Sequence, residues 1–399
     1  MPEATRPRVL IAGAGLCGLT TALALLRQGC DVRVYEQARE LKEVGAGVQL
    51  GSNGTRVLIA LGLEVAMRQV ICEPTGKEIR LWTTGQSWPV FDLGTESVQR
   101  YGAPYWFAHR GDFHTVLLRA VRQIGPGVVH AGMACTGYTQ TDSNVTLHLD
   151  SGDHVSGDVL LAADGVHSAI RRQMFGEGHA VFSGIIAWRG LVPMERLPPH
   201  MRRLVGTNWV GYGGHVVTYP LRRGEILNFV GAVERDDWRV ESWTEAGTRD
   251  ECARDLTHWN EDIQTIVRNI DVPYKWALLG RDPLPHFAQG RVCLLGDAAH
   301  PTLPFLAQGA NMALEDAAIV ARALNAYPVV EALRRFEAAR LERTAAIVRG
   351  SAENTKRFHN PALGDSAGAA AYIDQEFAAE KIRQRYDWLY EYDALTVAI

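Results

Sequence analysis

The six cysteines of this 399-residue chain, at 17, 30, 72, 135, 252 and 293, include no CxxC pair and have no histidine at metal-ligand spacing. A structural zinc site and a redox dithiol are thereby disfavoured, and no bound metal is expected. Cysteines so scattered in a long chain read as reduced thiols rather than a disulfide framework. No apolar run is long enough to span a bilayer. The polar, proline-bearing start MPEATRPR lacks the apolar stretch of a signal peptide, so a cytoplasmic location is expected. With 41 basic against 45 acidic side chains spread evenly and a net charge of −4, there is no basic stripe for nucleic acid and no polybasic segment for a membrane. Repeats and low-complexity tracts are missing too. At 47% hydrophobic and 22% charged the composition is that of a soluble globular protein, and the length calls for two domains.

What is present starts at once. RVLIAGAGLCGLTTALALLRQGCDVRVYEQ gives a buried strand at 8–12, a helix at 16–28 closed by Gly29, and a second strand at 32–35, a βαβ unit. Gly13, Gly15 and Gly18 form GxGxxG at the strand-to-helix turn. The first permits the turn, the second lets a pyrophosphate approach the backbone, and the third lets helix and strand pack closely, with the helix N-terminus facing the anion. Glu36 closes the second strand, where a carboxylate accepts from ribose hydroxyls and disfavours a 2′-phosphate. The structural alternative is a glycine-rich turn beside a surface glutamate.

The chain of further βα units expected of a simple dehydrogenase does not follow. A glycine-broken stretch from residue 43 leads into a helix, and strand-like and turn-like pieces run to about 105. HRGDFHTVLLRA reads as a helix start with Asp112 as N-cap and Arg110 beside it. VTLHLDSGDHVSGDVLLAADG reads as a hairpin and then a buried strand ending at Asp164. Residues 181–285 alternate strands with Trp- and Pro-bearing loops, with a helical segment near 246–268. RVCLLGDAAHPTLPFLAQGANMALEDAAIVARAL then gives a strand, a proline-rich loop and a long helix from about Gly309.

GxGxxG with Glu36, DGVHSAIR at 164–171 and LLGDAAHP at 294–301 stand in the order and at the distances that resemble the FAD-dependent aromatic hydroxylases, the single-component class A flavoprotein monooxygenases. The resemblance covers essentially the whole chain. It implies an α/β fold: a Rossmann-like FAD-binding domain of the glutathione reductase type, over 1–180 and completed by 286–328, is interleaved with a sheet-based substrate domain. That second domain would span 181–285 with pieces near 70–105, and 329–399 would be a helical C-terminus. It implies FAD, with NADH or NADPH as reductant, and no extra C-terminal domain. Gly13, Gly15 and Gly18 would hold the FAD pyrophosphate and Glu36 the adenosine ribose. Arg110 would reach the ribityl and phosphate region, Asp164 and Gly165 would serve FAD and the nicotinamide cofactor, and Asp297 would bind a ribityl hydroxyl. The first amides of the helix at Gly309, Ala310 and Asn311 would face the flavin's pyrimidine edge. Asp164 and Asp297 as turn formers, and Arg110 as a solvated cation, are the structural alternatives.

HVVTYPLRRGEILNFV resembles a substrate-domain strand of salicylate hydroxylases, 3-hydroxybenzoate 6-hydroxylases and 6-hydroxynicotinate 3-monooxygenases, in which a histidine lies near the substrate hydroxyl. His215 would then act as base, because a phenolate attacks the electrophilic C4a-hydroperoxyflavin far better than a phenol does. Tyr219, the second catalytic candidate, and Val217 share its sheet face, and Val216 and Thr218 point the other way. A core histidine bonded to a carbonyl is the alternative for His215. Pro301, Leu303, Pro304, Phe305 and Leu306 would wall the flavin off from water. Pro304 stands where 3-hydroxybenzoate 6-hydroxylases are expected to carry glutamine, so this loop sides with salicylate hydroxylases. His300 is read as structural and His359 as ordinary; Arg189 and Arg222 are candidates for the substrate carboxylate.

The implied reaction is hydroxylation of a small hydroxyaromatic acid such as salicylate, with loss of CO₂ on ipso attack, and the partners are that acid and O₂. 3-Hydroxybenzoate and 6-hydroxynicotinate are the alternative substrates. A flavin-free NAD dehydrogenase and a flavin-binding protein without catalysis are the readings of other classes. The aromatics of RYDWLYEYDALTVAI would serve a homodimer contact or cap the chain's own core.

Overall fold

The computed structural model describes residues 6–41, 47–178, 180–235 and 245–399, so residues 43–46 of the glycine-broken stretch lie outside it. Strand Arg8–Ala12, buried from its second residue on, is a central strand of a six-stranded sheet. It pairs in parallel with Asp31–Glu36 on one side and Val159–Ala162 on the other, and Val159–Ala162 pairs in parallel with the distant Val292–Leu294. Continuous apolar runs suit strands covered on both faces. Helix Leu16–Arg27 is buried from Leu16 to Leu25 because it is sandwiched between this sheet and helix Gly309–Ala326.

A seven-stranded sheet holds, in order, Tyr274–Gly280, Val181–Pro193, Ile226–Glu234, Gly214–Leu221, Val205–Gly211, Gly76–Leu81 and Ser87–Phe91. Its neighbours are antiparallel except for Val205–Gly211 and Gly76–Leu81. The two-residue period of the strands divides its side chains cleanly. Ile186, Trp188, Trp209, Val216 and Phe229 pack on one face with Cys252, Leu256, Ile263, Ile266 and Val267 of helices Arg249–Asp255 and Glu261–Asn269. The other face, bearing His215, Val217 and Tyr219, fronts the cleft toward the nucleotide-type sheet.

Two local expectations are corrected. Helix Arg110–Ile124 starts from His109 without a side-chain cap, and Asp112 lies inside its first turn. There its carboxylate takes Arg222 through two hydrogen bonds of 2.7 and 2.9 Å, which removes Arg222 from the list of substrate ligands. At the C-terminus Tyr386 and Tyr390 turn inward, with Tyr390 edge-on to Tyr101 and Tyr105 at 5.4 and 5.8 Å, so these rings cap the chain's own core.

Helix Val329–Phe358 is fastened to helix Gly309–Ala326 by a buried ionic cluster. Fully buried Arg340 donates to Asp316 at 2.7 Å and to Glu315 at 2.6 Å, Arg343 donates twice to Glu315, and Asn53 donates to Glu315 at 2.6 Å. His300 bonds Asp316 at 2.7 Å, consistent with a structural role. Removing one partner of such a cluster leaves buried charge uncompensated. The Arg340→Met variant is therefore expected to lose about 3–5 kcal/mol of stability, measured by denaturant unfolding of the FAD-bound protein.

Candidate functional site

The cleft between the two large sheets has a volume of about 600 Å³ and contains or borders most of the residues singled out in the sequence. At its nucleotide end, Gly13 adopts φ +95°, and a Cβ there would lie 2.4 Å from the Ala163 carbonyl oxygen. A Cβ on Gly18 would lie 2.0 Å from the Gly13 oxygen, so the turn and helix close only around glycine. Gly15 is the N-cap of helix Leu16–Arg27 and borders the cleft. Glu36 accepts from the amide N–H groups of Ala14 and Ala38, each at 2.8 Å, so its carboxylate also ties down the glycine turn. Each carboxylate oxygen keeps a lone pair for a further donor such as a ribose hydroxyl. His114, bonded to the Ala14 carbonyl at 2.8 Å, braces the same turn and was not singled out in the sequence.

Asp164 and Gly165 follow strand Val159–Ala162 at the cleft wall, with Gly165 at φ +78°. Asp164 Oδ2 accepts from the Ala169 amide at 3.0 Å, whereas Oδ1 is buried without a hydrogen-bond partner among the described residues. Burial pushes this carboxyl up from its ordinary value, offset by Ser168 and nearby backbone N–H groups. Asp297 and Arg110 also border the cleft, as do Gly309 and Ala310 at the start of helix Gly309–Ala326. Asn311 differs. Its buried side chain donates to the carbonyls of Gln49 and Ala307 and accepts from the Gly51 amide, so only its backbone can serve a ligand at the helix start. The glycine cradle, the orphaned Asp164 oxygen and the helix N-terminus together fit FAD.

Pro301, Leu303, Pro304, Phe305 and Leu306 form an apolar wall. Ser351 donates to the Leu303 carbonyl at 2.5 Å and Asn354 to that of Phe305 at 3.1 Å, which fixes this loop onto helix Val329–Phe358. Opposite stands the sheet face with His215, Val217, Tyr219, Asn208, Arg189 and Lys77. Tyr219 packs on Phe107 at 4.9 Å, and burial pushes its phenol far up, so it stays neutral. Arg189 is mostly buried with its guanidinium 5.2 Å from the Trp276 ring centre. Lys77 is half-buried in the cleft, and burial pushes its ammonium down to about 8. It escaped the sequence reading, although a lysine alternating with Ile79 and Leu81 on an apolar strand face is a readable signal.

His215 is only 2% exposed and its ring meets Phe305 at 4.9 Å and Phe358 at 5.1 Å. Its partner is no carbonyl: Nδ1 lies 2.6 Å from Nε2 of His359, and Nδ1 of His359 lies 2.8 Å from a Glu234 carboxylate oxygen. His359, read as ordinary, thus belongs to the site. It follows helix Val329–Phe358 far along the chain, and nothing in its local sequence announces the contact.

A family model described as FAD binding domain matches residues 6–351. A 3-amino-4-hydroxybenzoate 2-monooxygenase from Streptomyces platensis is 36% identical over 394 residues, which cover 98% of both chains. A 3-hydroxybenzoate 6-hydroxylase from Aquipseudomonas alcaligenes is 34% identical, with 96% of this chain and 97% of that one covered. A solved salicylate hydroxylase substrate complex is 26% identical and superposes with a TM-score of 0.80, covering 98% of this chain and 96% of that one.

A methyl group at Gly18 would strike backbone, which cannot step aside cheaply. Gly18→Ala is expected to strip the purified protein of most of its flavin, read as the ratio of flavin to protein absorbance.

Proposed function

The chain belongs to the FAD binding domain family and is an FAD-dependent aromatic monooxygenase of the hydroxybenzoate and hydroxynicotinate hydroxylase type, and we propose that it hydroxylates a monocyclic aromatic acid bearing a ring hydroxyl, with NADH or NADPH as reductant. The observation that carries this reading is His215, an imidazole on the sheet face of the cleft, with Arg189 on the same face. Bound FAD supplies the electrons taken from the nicotinamide cofactor and the transfer of one oxygen atom from O₂.

The chain's own residues do the rest. Burial, and then the neighbouring His359, push His215 well below its ordinary pKa, so the imidazole is neutral and ready to accept a proton. Taking it from the ring hydroxyl at Nε2 leaves a phenolate, which is the better carbon nucleophile. The carboxylate is assigned to Arg189, through charge-assisted hydrogen bonds, with the Lys77 ammonium as a second cation on the same face; both line the cleft. The wall from Pro301 to Leu306 keeps water from the reacting atoms. Glycines 13, 15 and 18, Glu36, Arg110, Asp164, Gly165, Asp297 and the amides at 309–311 are assigned to the cofactor. 3-Amino-4-hydroxybenzoate enters the substrate order because the relative named for it matches along 98% of both chains; its position 2 lies ortho to the amino group and meta to the hydroxyl, so there the amino group directs attack. Salicylate, with ipso attack and release of CO₂, is the second reading, favoured by Pro304 in the wall loop.

Four acids test it: 3-amino-4-hydroxybenzoate, salicylate, 3-hydroxybenzoate and 6-hydroxynicotinate. One is expected to stimulate NADH or NADPH oxidation by the FAD-bound protein and to yield hydroxylated product, with CO₂ release marking ipso attack; stimulation by none of them would reject the hydroxyaromatic-acid reading. With the active acid, His215→Ala is expected to lower product formation by about 10²–10⁴-fold and divert reducing equivalents to peroxide while FAD stays bound. Arg189→Met is expected to raise KM for the acid roughly tenfold to a hundredfold and to leave KM for its amide unchanged.

A further inference from the structure

We propose that His215, His359 and Glu234 form a relay that carries the ring hydroxyl's proton from the cleft to solvent, an inference that rests on the hydroxyaromatic reading for its substrate but not for its geometry. The three residues come from separate segments: His215 from strand Gly214–Leu221, Glu234 from the end of strand Ile226–Glu234, and His359 from just beyond helix Val329–Phe358. Ala232 lies opposite His215 in the sheet, and Glu234, two residues on, shares its face. The chain of contacts is short, 2.6 Å and then 2.8 Å, and it ends on a carboxylate whose side chain is 54% exposed.

The direction of the donors follows from the end of the chain. An ionised carboxylate can only accept, so the Nδ1 of His359 that meets Glu234 carries a hydrogen. Neutral His359 then has a lone pair on Nε2, and this accepts from Nδ1 of His215. Neutral His215 is left bare at Nε2, the ring nitrogen not engaged by His359. Burial holds both imidazoles below their ordinary pKa, although Glu234 pulls His359 back up. Glu234 thus sets the tautomer of a base two hydrogen bonds away.

A proton taken at Nε2 would leave an imidazolium packed among Phe305 and Phe358, where burial opposes charge. The chain removes that charge. As His215 Nε2 bonds to the hydroxyl proton, its Nδ1–H passes to Nε2 of His359, and the Nδ1–H of His359 passes to Glu234. Three N–H or O–H bonds form, three break, and no electrons are exchanged. The net change is a phenolate in the cleft and a protonated carboxyl at the surface. The ring recovers aromaticity by giving up the hydrogen of the attacked carbon, which ends in the water formed from the second oxygen atom, or by losing CO₂ on ipso attack; its oxygen is reprotonated from Glu234, and the same hops in reverse restore both tautomers.

A mere clamp between sheet and helix would have the same contacts, and Glu234→Gln separates the two roles. The amide oxygen still accepts from His359 but takes up no proton. The variant is expected to keep its FAD and melting temperature, to hydroxylate the active acid at least about tenfold more slowly, and to turn a curved proton inventory in mixed light and heavy water into a linear one. Glu234→Asp is expected to recover part of the rate. Unchanged rate and unchanged inventory in Glu234→Gln would reduce the triad to a clamp. Nitrogen NMR of the resting FAD-bound protein with labelled histidine needs no substrate, so it decides the chain even if all four acids fail. It is expected to show His215 and His359 protonated at Nδ1 and bare at Nε2; a hydrogen on Nε2 of His215 would overturn the relay.

Discussion

The cleft depends on one buried cation. Glu315 and Asp316 are neighbours in sequence on a helix with no exposure at either side chain, a place where two carboxylates would not both ionise unaided. Burial alone would raise both, yet Arg340 and Arg343 draw Glu315 below its ordinary value, and His300 and Arg340 do the same for Asp316. The charges then become usable as acceptors. Asp316 takes the Gly296 amide at 2.9 Å and so fixes the start of the loop that bears Asp297, while Glu315 takes Asn53 from a helix far earlier in the chain. Such clusters gain little over apolar packing in stability, and they gain register: the geometry is satisfied in one arrangement only.

Arg340 also explains how cofactor and substrate sides stay aligned. Its helix, Val329–Phe358, carries Arg340 in the ionic cluster, Ser351 and Asn354 on the carbonyls of the apolar wall, and His359 at its end against His215. One rigid element therefore sets the loop beside Asp297, the wall that excludes water and the tautomer of the candidate base. Displacement of this helix would disturb all three together.

How much of this could be read in the sequence follows from the range of each signal. The βαβ unit was legible because its period, its glycines and Glu36 lie within thirty or so residues of one another, and each constraint is local. The sheet-face assignment of His215, Val217 and Tyr219 was legible for the same reason, since alternation fixes sides without knowledge of the partner strands. Asp112 was misread because a helix cap and a first-turn acid differ by a few residues in a boundary that sequence leaves loose, and its bidentate partner Arg222 lies more than a hundred residues away. His359 and Glu234 were invisible in principle: each is unremarkable in its own segment, and only the closing of helix end onto sheet gives them a common line.

Placing a base in a dry pocket creates its own problem. The apolar surroundings that protect a reactive oxygen species from water also hold the imidazole neutral, which leaves a ring lone pair free but opposes the positive charge a proton would bring. A base at the surface could release its proton directly, at the cost of admitting solvent to the reaction. His215 sits at the far side of this conflict, 2% exposed, and the carboxylate that could resolve it stands two hydrogen bonds away where water is available. The distance between base and solvent is bridged by a second imidazole, the one side chain type that can accept a proton on one atom while giving up another from a different atom. Exclusion of water and removal of a proton are then met by different residues, and neither requires the pocket to open.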